Sequence, residues 1–242
     1  VIYDDDPALY DLQYAAYRDD IPFYLRLADE LGGPVLELGA GTGRVTEALA
    51  RAGHQVVAVD VSAAMLGRAE ERLGDLDGLE FVLADMRSLD LGREFPLVFA
   101  PFNTLMHAYL VADQDRVLAA VRGHLAAGGT FAFDVFQPHL GPLGVMRREP
   151  TWAELGAGAE LFLVQHHDPE AQLVESLYYL DERRPDGTLR RRQARLVQRY
   201  FNRYELERAL AQAGFGTVRL FGGFDKSRLL ASSPMIVALA RP

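Results

Sequence analysis

The chain has 242 residues, 34 acidic and 25 basic side chains, a formal net charge of −9 at pH 7, and no cysteine. Its length suits one domain, or one domain carrying a sizeable insertion, and its 49% hydrophobic composition is that of an ordinary soluble globular protein. The missing cysteines exclude disulfides, thiolate metal sites and a cysteine nucleophile; the negative charge argues against a protein that coats nucleic acid; no apolar run approaches the roughly 20 residues that span a bilayer.

The N-terminal VIYDDDPALYDLQY is acidic and aromatic, unlike a secretory signal, and lacks an initiator Met, so the numbering can begin inside a longer chain. A cytoplasmic protein is expected. Residues 8–31 carry aromatic and aliphatic side chains at helical spacing, interrupted at Pro22, and predict two short helices ending at Gly32-Gly33. An alternation of apolar runs and helical patterns follows. The runs are PVLELG, QVVAVD, LEFVLAD, FPLVFAPF and GTFAFDVF, with helices over about 43–53, 63–73 and 113–126 between them. Strands separated by such helices predict a parallel sheet with right-handed crossovers. After Pro138 the pattern changes. AELFLVQHHD, QLVESLYYLDE and TLRRRQARLVQRYF read as antiparallel strands, the last two joined by a turn at Asp186-Gly187. Asn202 and Glu205 form a capping-box pattern ahead of a helix over about 203–213, and strands near 216–221 and 235–240 close the chain.

The first turn, Glu37-Leu38-Gly39-Ala40-Gly41-Thr42-Gly43, spaces its glycines as G-x-G-x-G, whereas the dinucleotide fingerprint is G-x-G-x-x-G. Glycine there lets the backbone take positive φ and lets a ligand approach, and the helix N-terminus beyond favours electron-rich groups. Asp60 ends the second strand, 21 residues after Gly39, where a carboxylate can accept from both hydroxyls of a ribose. Asp85 follows the third strand, where a carboxylate can accept from an adenine amino group while the Met86 amide meets a ring nitrogen. Ligands of open α/β sheets bind outside the carboxyl ends of the strands, so Glu37, Asp60 and Asp85 should converge there. Three acids suit a ligand with a ribose, an adenine and a cationic amino group, and suit a pyrophosphate poorly.

Taken together, ELGAGTG, VVAVDVSAAML, FVLADMRSLDL and FPLVFAPFNTLMH resemble motifs I to IV of the class I S-adenosylmethionine-dependent methyltransferases, over about residues 30–136. The flanking segments are similar to a broad bacterial branch of small methyltransferases. The resemblance implies a Rossmann-like α/β fold: a seven-stranded sheet with helices on both faces, its last strand antiparallel to the rest, and an antiparallel β insert after the fifth strand. It implies S-adenosylmethionine as cofactor. Glu37 would orient the methionine amino group, and Gly39, Ala40 and Gly41 would lie against the cofactor, Ala40 standing where many relatives carry Cys. Asp60 would hold the ribose, Val61 and Met65 would line the adenine slot, and Asp85 and Met86 would read its edge. Pro101, Phe102 and Asn103 would face the methyl being transferred. Tyr10, Tyr14 and Tyr17 offer a lid, with Tyr10 and Tyr17 against the sulfonium through cation–π attraction, although helix packing explains them equally well.

The domains expected are an N-terminal helical lid over 1–33, a core over 34–138 and 202–242, and an insert over 139–201 that covers the substrate. Asn103 and His107 are the catalytic candidates; helix packing or capping competes for His107, and turn formation for Asn103. Asp134 is a further candidate beside a local turn role. FAPFN superficially resembles the motif of enzymes that methylate base amines, but its residue order does not match. Trp152, Phe162, Tyr178 and Tyr179 offer the wall of a substrate cavity, against ordinary core packing. His166, His167 and Asp168 form no metal site, because neighbours on a strand point to opposite faces. The arginines from Arg183 to Arg203 read as a solvated face balanced by Asp181, Glu182 and Asp186, rather than as a site for an anionic substrate or a partner subunit. The reading is methyl transfer to nitrogen or oxygen of a small molecule, without metal, membrane or nucleic acid, and with a homodimer left open. Its alternatives are a tRNA or protein methyltransferase, a non-catalytic S-adenosylmethionine-binding module, and an NAD- or FAD-dependent oxidoreductase.

Overall fold

The computed structural model describes residues 6–14, 16–137, 147–148 and 159–242. The chain divides into two compact units, residues 1–17 with 139–200, and residues 18–138 with 201–242. The expected boundary after residue 33 and this division differ, because the second helix packs into the larger unit.

The larger unit is built on a seven-stranded sheet. Its strands are β1 (Val35–Leu38), β2 (Val56–Asp60), β3 (Leu79–Leu83), β4 (Phe95–Ala100), β5 (Leu125–Phe136), β10 (Thr217–Phe221) and β11 (Met235–Arg241), in the order β10-β11-β5-β4-β1-β2-β3. Strands β1 to β5 run parallel, while β11 is antiparallel to β5 and β10 to β11. The seven-stranded Rossmann-like sheet with a reversed last strand is therefore present. VLEL and LVFA are buried along their whole length, which is why they read as unbroken apolar runs: a central parallel strand is covered on both faces. Edge strand β3 is correspondingly half-exposed.

Helices α2 (Ile21–Leu31), α3 (Arg44–Arg51), α4 (Ala63–Leu73), α5 (Val111–Gly123) and α6 (Arg203–Gln212) correspond to the expected helices, except that α5 starts two residues early and stops at Gly123, because Leu125 already pairs with Phe95 in β5. Pro22 begins α2 rather than interrupting it, as its missing N–H is harmless in a first turn. Ser62 caps α4 by accepting from Met65 N at 3.1 Å, and Asn202 and Glu205 form the capping box of α6. Tyr24, Leu27, Val45, Leu49, Phe99 and Val237 belong to one buried cluster that joins α2 and α3 to the sheet. Between the residue before α2 and the first residue of α3 a buried ion pair forms: Arg44 Nη1 and Nη2 donate to Asp20 Oδ1 and Oδ2 at 2.6 and 2.5 Å, with Asp20 fully buried and Arg44 7% exposed.

The smaller unit contains α1 (Pro7–Tyr14) and a four-stranded sheet, β6 (Arg147–Arg148), β7 (Ala159–Asp168), β8 (Leu173–Arg183) and β9 (Leu189–Arg199). Its strands are antiparallel, and Gly187 at φ 85° completes the β8–β9 turn. The pairing partly corrects two expectations. Phe162 faces Tyr179 across β7 and β8, whereas Tyr178 pairs with Leu163 on the opposite face. These aromatics cannot all wall one cavity, and Trp152 lies outside the described residues. The arginines are balanced by acids, as expected, but not by all the acids expected. Arg191 and Arg192 pair with Asp181 and Glu182, Arg192 also with Asp6 at 2.8 Å, and Arg195 with Glu175. Asp186 instead accepts from Thr188 N and Oγ1 to hold the turn.

The ion pair sets a stability prediction. Asp20→Ala removes the bidentate partner of a buried guanidinium and is expected to destabilise the chain by ~3–5 kcal/mol, read by urea unfolding. The double variant Asp20→Ala, Arg44→Met removes both charges and should recover most of that loss.

Candidate active site

The chain leaves β1 through a turn whose glycines each meet a different constraint. Gly39, Gly41 and Gly43 have φ of 68, 59 and 84°, in the left-handed region that side chains resist. A Cβ on Gly39 would stand 2.5 Å from Thr104 Cγ2 and Oγ1, and one on Gly43 would stand 2.6 Å from Leu73 Cδ1. Gly39 thus admits the chain that follows β4, and Gly43 lets α3 pack on α4. Ala40 is buried, and its N–H donates to Val59 O at 3.0 Å. Asp60, at the end of β2, closes the turn from the side: Oδ2 accepts from Gly41 N at 2.8 Å and Oδ1 from Ser62 N at 2.9 Å. Beside it Val61 is 52% exposed, while Met65 is buried one turn on.

Beneath the turn lies a group of buried charges. Glu37 is 1% exposed, and its Oε2 accepts from Thr46 Oγ1 at 2.6 Å. Burial pushes its pKa up to about 8; the Thr46 hydrogen bond and the Arg44 charge lower it, and the charges of Asp20 and Asp60 raise it. Arg44 also places its guanidinium carbon 5.2 Å from the centre of the Phe102 ring.

Phe102 and Asn103 follow β4 with φ of 54 and 66°, two consecutive non-glycine residues in the left-handed region. Asp134, near the end of β5, holds that turn. Its Oδ1 accepts from Phe102 N at 2.9 Å and from Tyr24 Oη at 2.7 Å, and its carbonyl accepts from Asn103 N at 3.2 Å. Burial and the charge of Asp20 push the Asp134 pKa up to about 6, against these hydrogen bonds; burial and Asp134 raise that of the Tyr24 phenol. Asn103 spends its side-chain oxygen on the backbone, accepting from Phe136 N at 2.6 Å. Thr104 Oγ1 donates to Pro101 O at 2.7 Å, and a 3-10 turn over Thr104–His107 follows. Desolvation pulls the His107 pKa down to about 4, so the ring is neutral at pH 7.

Asp85 stands two residues beyond β3, beside the half-buried Met86 and paired with Arg87 at 2.5 Å. The structure therefore sets Glu37, Asp60 and Asp85 at or just past the carboxyl ends of β1, β2 and β3, with Pro101, Phe102 and Asn103 past β4. Tyr10, Tyr14 and Tyr17 belong to the smaller unit, where the Tyr10 and Tyr14 rings lie 5.1 Å apart and Tyr14 Oη reaches Tyr178 Oη at 3.2 Å. His166 and His167 occupy alternate faces of β7, and His167 Nε2 contacts Tyr200 Oη at 2.9 Å. Among the described residues no group of three His, Cys, Asp or Glu side chains could hold a metal ion.

Sequence reading passed over Asp20, Tyr24, Arg44, Thr46 and Arg87. A signal existed for one of them: an arginine at the first position of a helix that packs under a glycine turn needs a buried acid.

A family model for methyltransferase domains matches residues 35–129. The CcbJ methyltransferase of Streptomyces caelestis is similar over 92% of this chain and 89% of its own, with 30% identity and a TM-score of 0.80. An S-adenosylmethionine-dependent methyltransferase of Clostridium acetobutylicum shares the fold at 20% identity, covering 99% of this chain and 95% of its own, with a TM-score of 0.78. A cypemycin N-terminal methyltransferase of a Streptomyces species is 39% identical over 151 residues, so the match spans 61% of this chain and 60% of that relative.

Glu37 yields a prediction with a defined sign. A buried acid whose pKa rises from 4.5 to about 8 binds more protons folded than unfolded between those values, so stability falls as pH rises through that window. Glu37→Gln removes this and should raise the unfolding free energy at pH 8 by on the order of 4 kcal/mol, at ~1.4 kcal/mol per pKa unit, and raise Tm with it. At pH 4.5 the difference should be small; scanning calorimetry at both pH values checks it.

Proposed function

Because the chain belongs to the class I S-adenosylmethionine-dependent methyltransferases, we propose that it transfers a methyl group from that donor to nitrogen or oxygen of a small molecule. The observation that carries the reading is the row of carboxyl groups, Glu37, Asp60 and Asp85, at the ends of three adjacent strands around a glycine turn.

These residues fit the donor. Asp60 is held at the end of β2 by the Gly41 and Ser62 N–H groups, and a carboxylate in that place is the proposed acceptor for a ribose diol. Val61 exposes an apolar face next to it, suited to a purine. Glu37 holds a proton at neutral pH in its buried place, and a cationic amino group nearby favours its ionised form. When bound, S-adenosylmethionine supplies a methyl group on a sulfonium with a neutral thioether as leaving group. The protein's task is alignment and exclusion of water, and the fixed Pro101–Asn103 turn serves it. His107, neutral at pH 7, is the group proposed to take a proton from an acceptor that arrives protonated. In this reading Asn103 acts through the backbone it holds.

The cypemycin relative supports an amine acceptor by its name, and a 40% identical relative over 112 residues, a magnesium-protoporphyrin O-methyltransferase of Rhodobacter capsulatus, keeps oxygen in view. The net charge of −9 supports a small molecule over nucleic acid. The absence of cysteine supports the cytoplasm.

Calorimetric titration should show S-adenosylhomocysteine binding and no NADH binding; binding of NADH alone overturns the reading. Asp60→Ala should weaken S-adenosylhomocysteine at least tenfold. With methyl-labelled donor and a cell extract, label should appear in the small-molecule fraction, whereas label confined to RNA or protein would assign a macromolecular acceptor.

A further inference from the structure

The Asp85 carboxylate is fixed by its own turn. Its carbonyl accepts from Ser88 N at 3.0 Å and its Oδ1 from Arg87 N at 2.9 Å, so residues 85–88 form a tight turn closed by the aspartate side chain. The Arg87 side chain then folds back on the same carboxylate. Its Nε lies 2.9 Å from both oxygens, and Nη2 lies 2.5 Å from Oδ2. Nη1 reaches Asp113 Oδ2 at 3.4 Å. Asp113 stands in the first turn of α5, is 7% exposed and also pairs with Arg116 at 3.0 Å. One guanidinium thus braces the loop after edge strand β3 against the start of a helix.

We infer that Arg87 is a positioning residue for donor recognition: anchored by Asp113, it holds Asp85 as a fixed hydrogen-bond acceptor, so that the site selects a 6-amino purine over a 6-oxo purine. The inference rests on the proposed function, with Asp85 taken as the acceptor for the amino group of the donor's adenine. A carboxylate offers about four lone-pair positions, and Arg87 brings three donors to it, its backbone N–H on Oδ1, Nη2 on Oδ2 and Nε shared between the two, so that one further donor can be accepted. An exocyclic amino group supplies that donor. A 6-oxo group presents a second acceptor to a carboxylate that cannot turn away, and a site built to accept a hydrogen bond rejects the analogue that cannot give one. The same contact holds the Asp85 pKa below its ordinary value, so the group keeps no proton to offer an oxo oxygen. Removal of Arg87 leaves Asp85 partly exposed to water and Asp113 still paired with Arg116, so neither carboxylate is left buried and unpaired.

The test compares Kd for S-adenosylhomocysteine and S-inosylhomocysteine by calorimetry. The wild-type chain should prefer the adenosine ligand by about ten- to a hundredfold. Arg87→Ala should reduce that ratio to less than a third of its wild-type value. Arg87→Lys, which keeps the charge and loses the fork, should fall between, and Asp113→Asn should lower the ratio in the same direction by less. Equal weakening of both ligands by Arg87→Ala, with the ratio intact while Asp85→Asn abolishes it, would mean that Arg87 only supports the fold and would overturn the inference. A ratio unmoved by Asp85→Asn would overturn the reading of Asp85 and this inference with it. An unmoved ratio in Asp113→Asn removes Asp113 from the brace. Failure of the wild-type chain to bind S-adenosylhomocysteine would overturn the function itself.

Discussion

The buried pairing of Arg44 with Asp20 is the interaction on which the geometry of the larger unit depends. Taking both charges out of water costs several kcal/mol per ion, and only close, forked geometry offsets it. That geometry is present, with Nη1 on one carboxylate oxygen and Nη2 on the other. Arg44 is buried as the first residue of α3, directly after the glycine turn. Asp20 directly precedes α2. The pair therefore fixes the start of one helix against the start of the other, and through the Phe102 ring it reaches the turn after β4.

The same guanidinium organises the charges around it. Asp20, Glu37 and Asp134 are buried, and each lies in the field of Arg44 or is paired with it. One cation cannot neutralise three carboxylates in a low-dielectric setting. Asp20 takes the direct contact. Asp134 receives a phenol and a backbone N–H and rises only to about 6, while Glu37 receives a single hydroxyl and rises to about 8. Protonation follows the supply of donors. A site left one positive charge short favours a ligand that brings one, which is the electrostatic argument for a donor carrying an ammonium and a sulfonium.

What was legible in the sequence was local. The parallel strands announce themselves as apolar runs, Ser62 and Asn202 as helix caps, and Gly39 to Gly43 as a turn, because each depends on neighbours a few residues away. The reason for Gly39 was not legible: it yields to Thr104, which the fold brings from beyond β4. Arg44 and Asp20 are 24 residues apart, and Tyr24 finds Asp134 across 110. Tyr24 sits in an aromatic segment whose spacing fits packing alone, and nothing local marks its hydroxyl as a donor. The antiparallel strands show the same limit from another side. Their alternation was readable, but the register that puts Tyr178 opposite Leu163 and Phe162 opposite Tyr179 is a property of pairing.

The turn at Phe102 and Asn103 shows how these distant partners act together. A left-handed backbone costs on the order of 1–3 kcal/mol for each such residue, and a phenylalanine gains nothing from it locally. Hydrogen bonds to a charged acceptor contribute ~1.5–3 kcal/mol each, and Asp134 accepts two of them, one from Phe102 itself. Asn103 adds a bond to Phe136, and Arg44 lies over the Phe102 ring. Strain and support are thus of similar size, and the support comes from α2, α3 and β5 at once. A loop with no positional duty would relax by exchanging Phe102 for glycine. Retaining a strained aromatic, and spending a buried tyrosine, aspartate and arginine to hold it, is the pattern of a segment whose position matters more than its stability. It stands past the end of β4, where the methyl group is proposed to move.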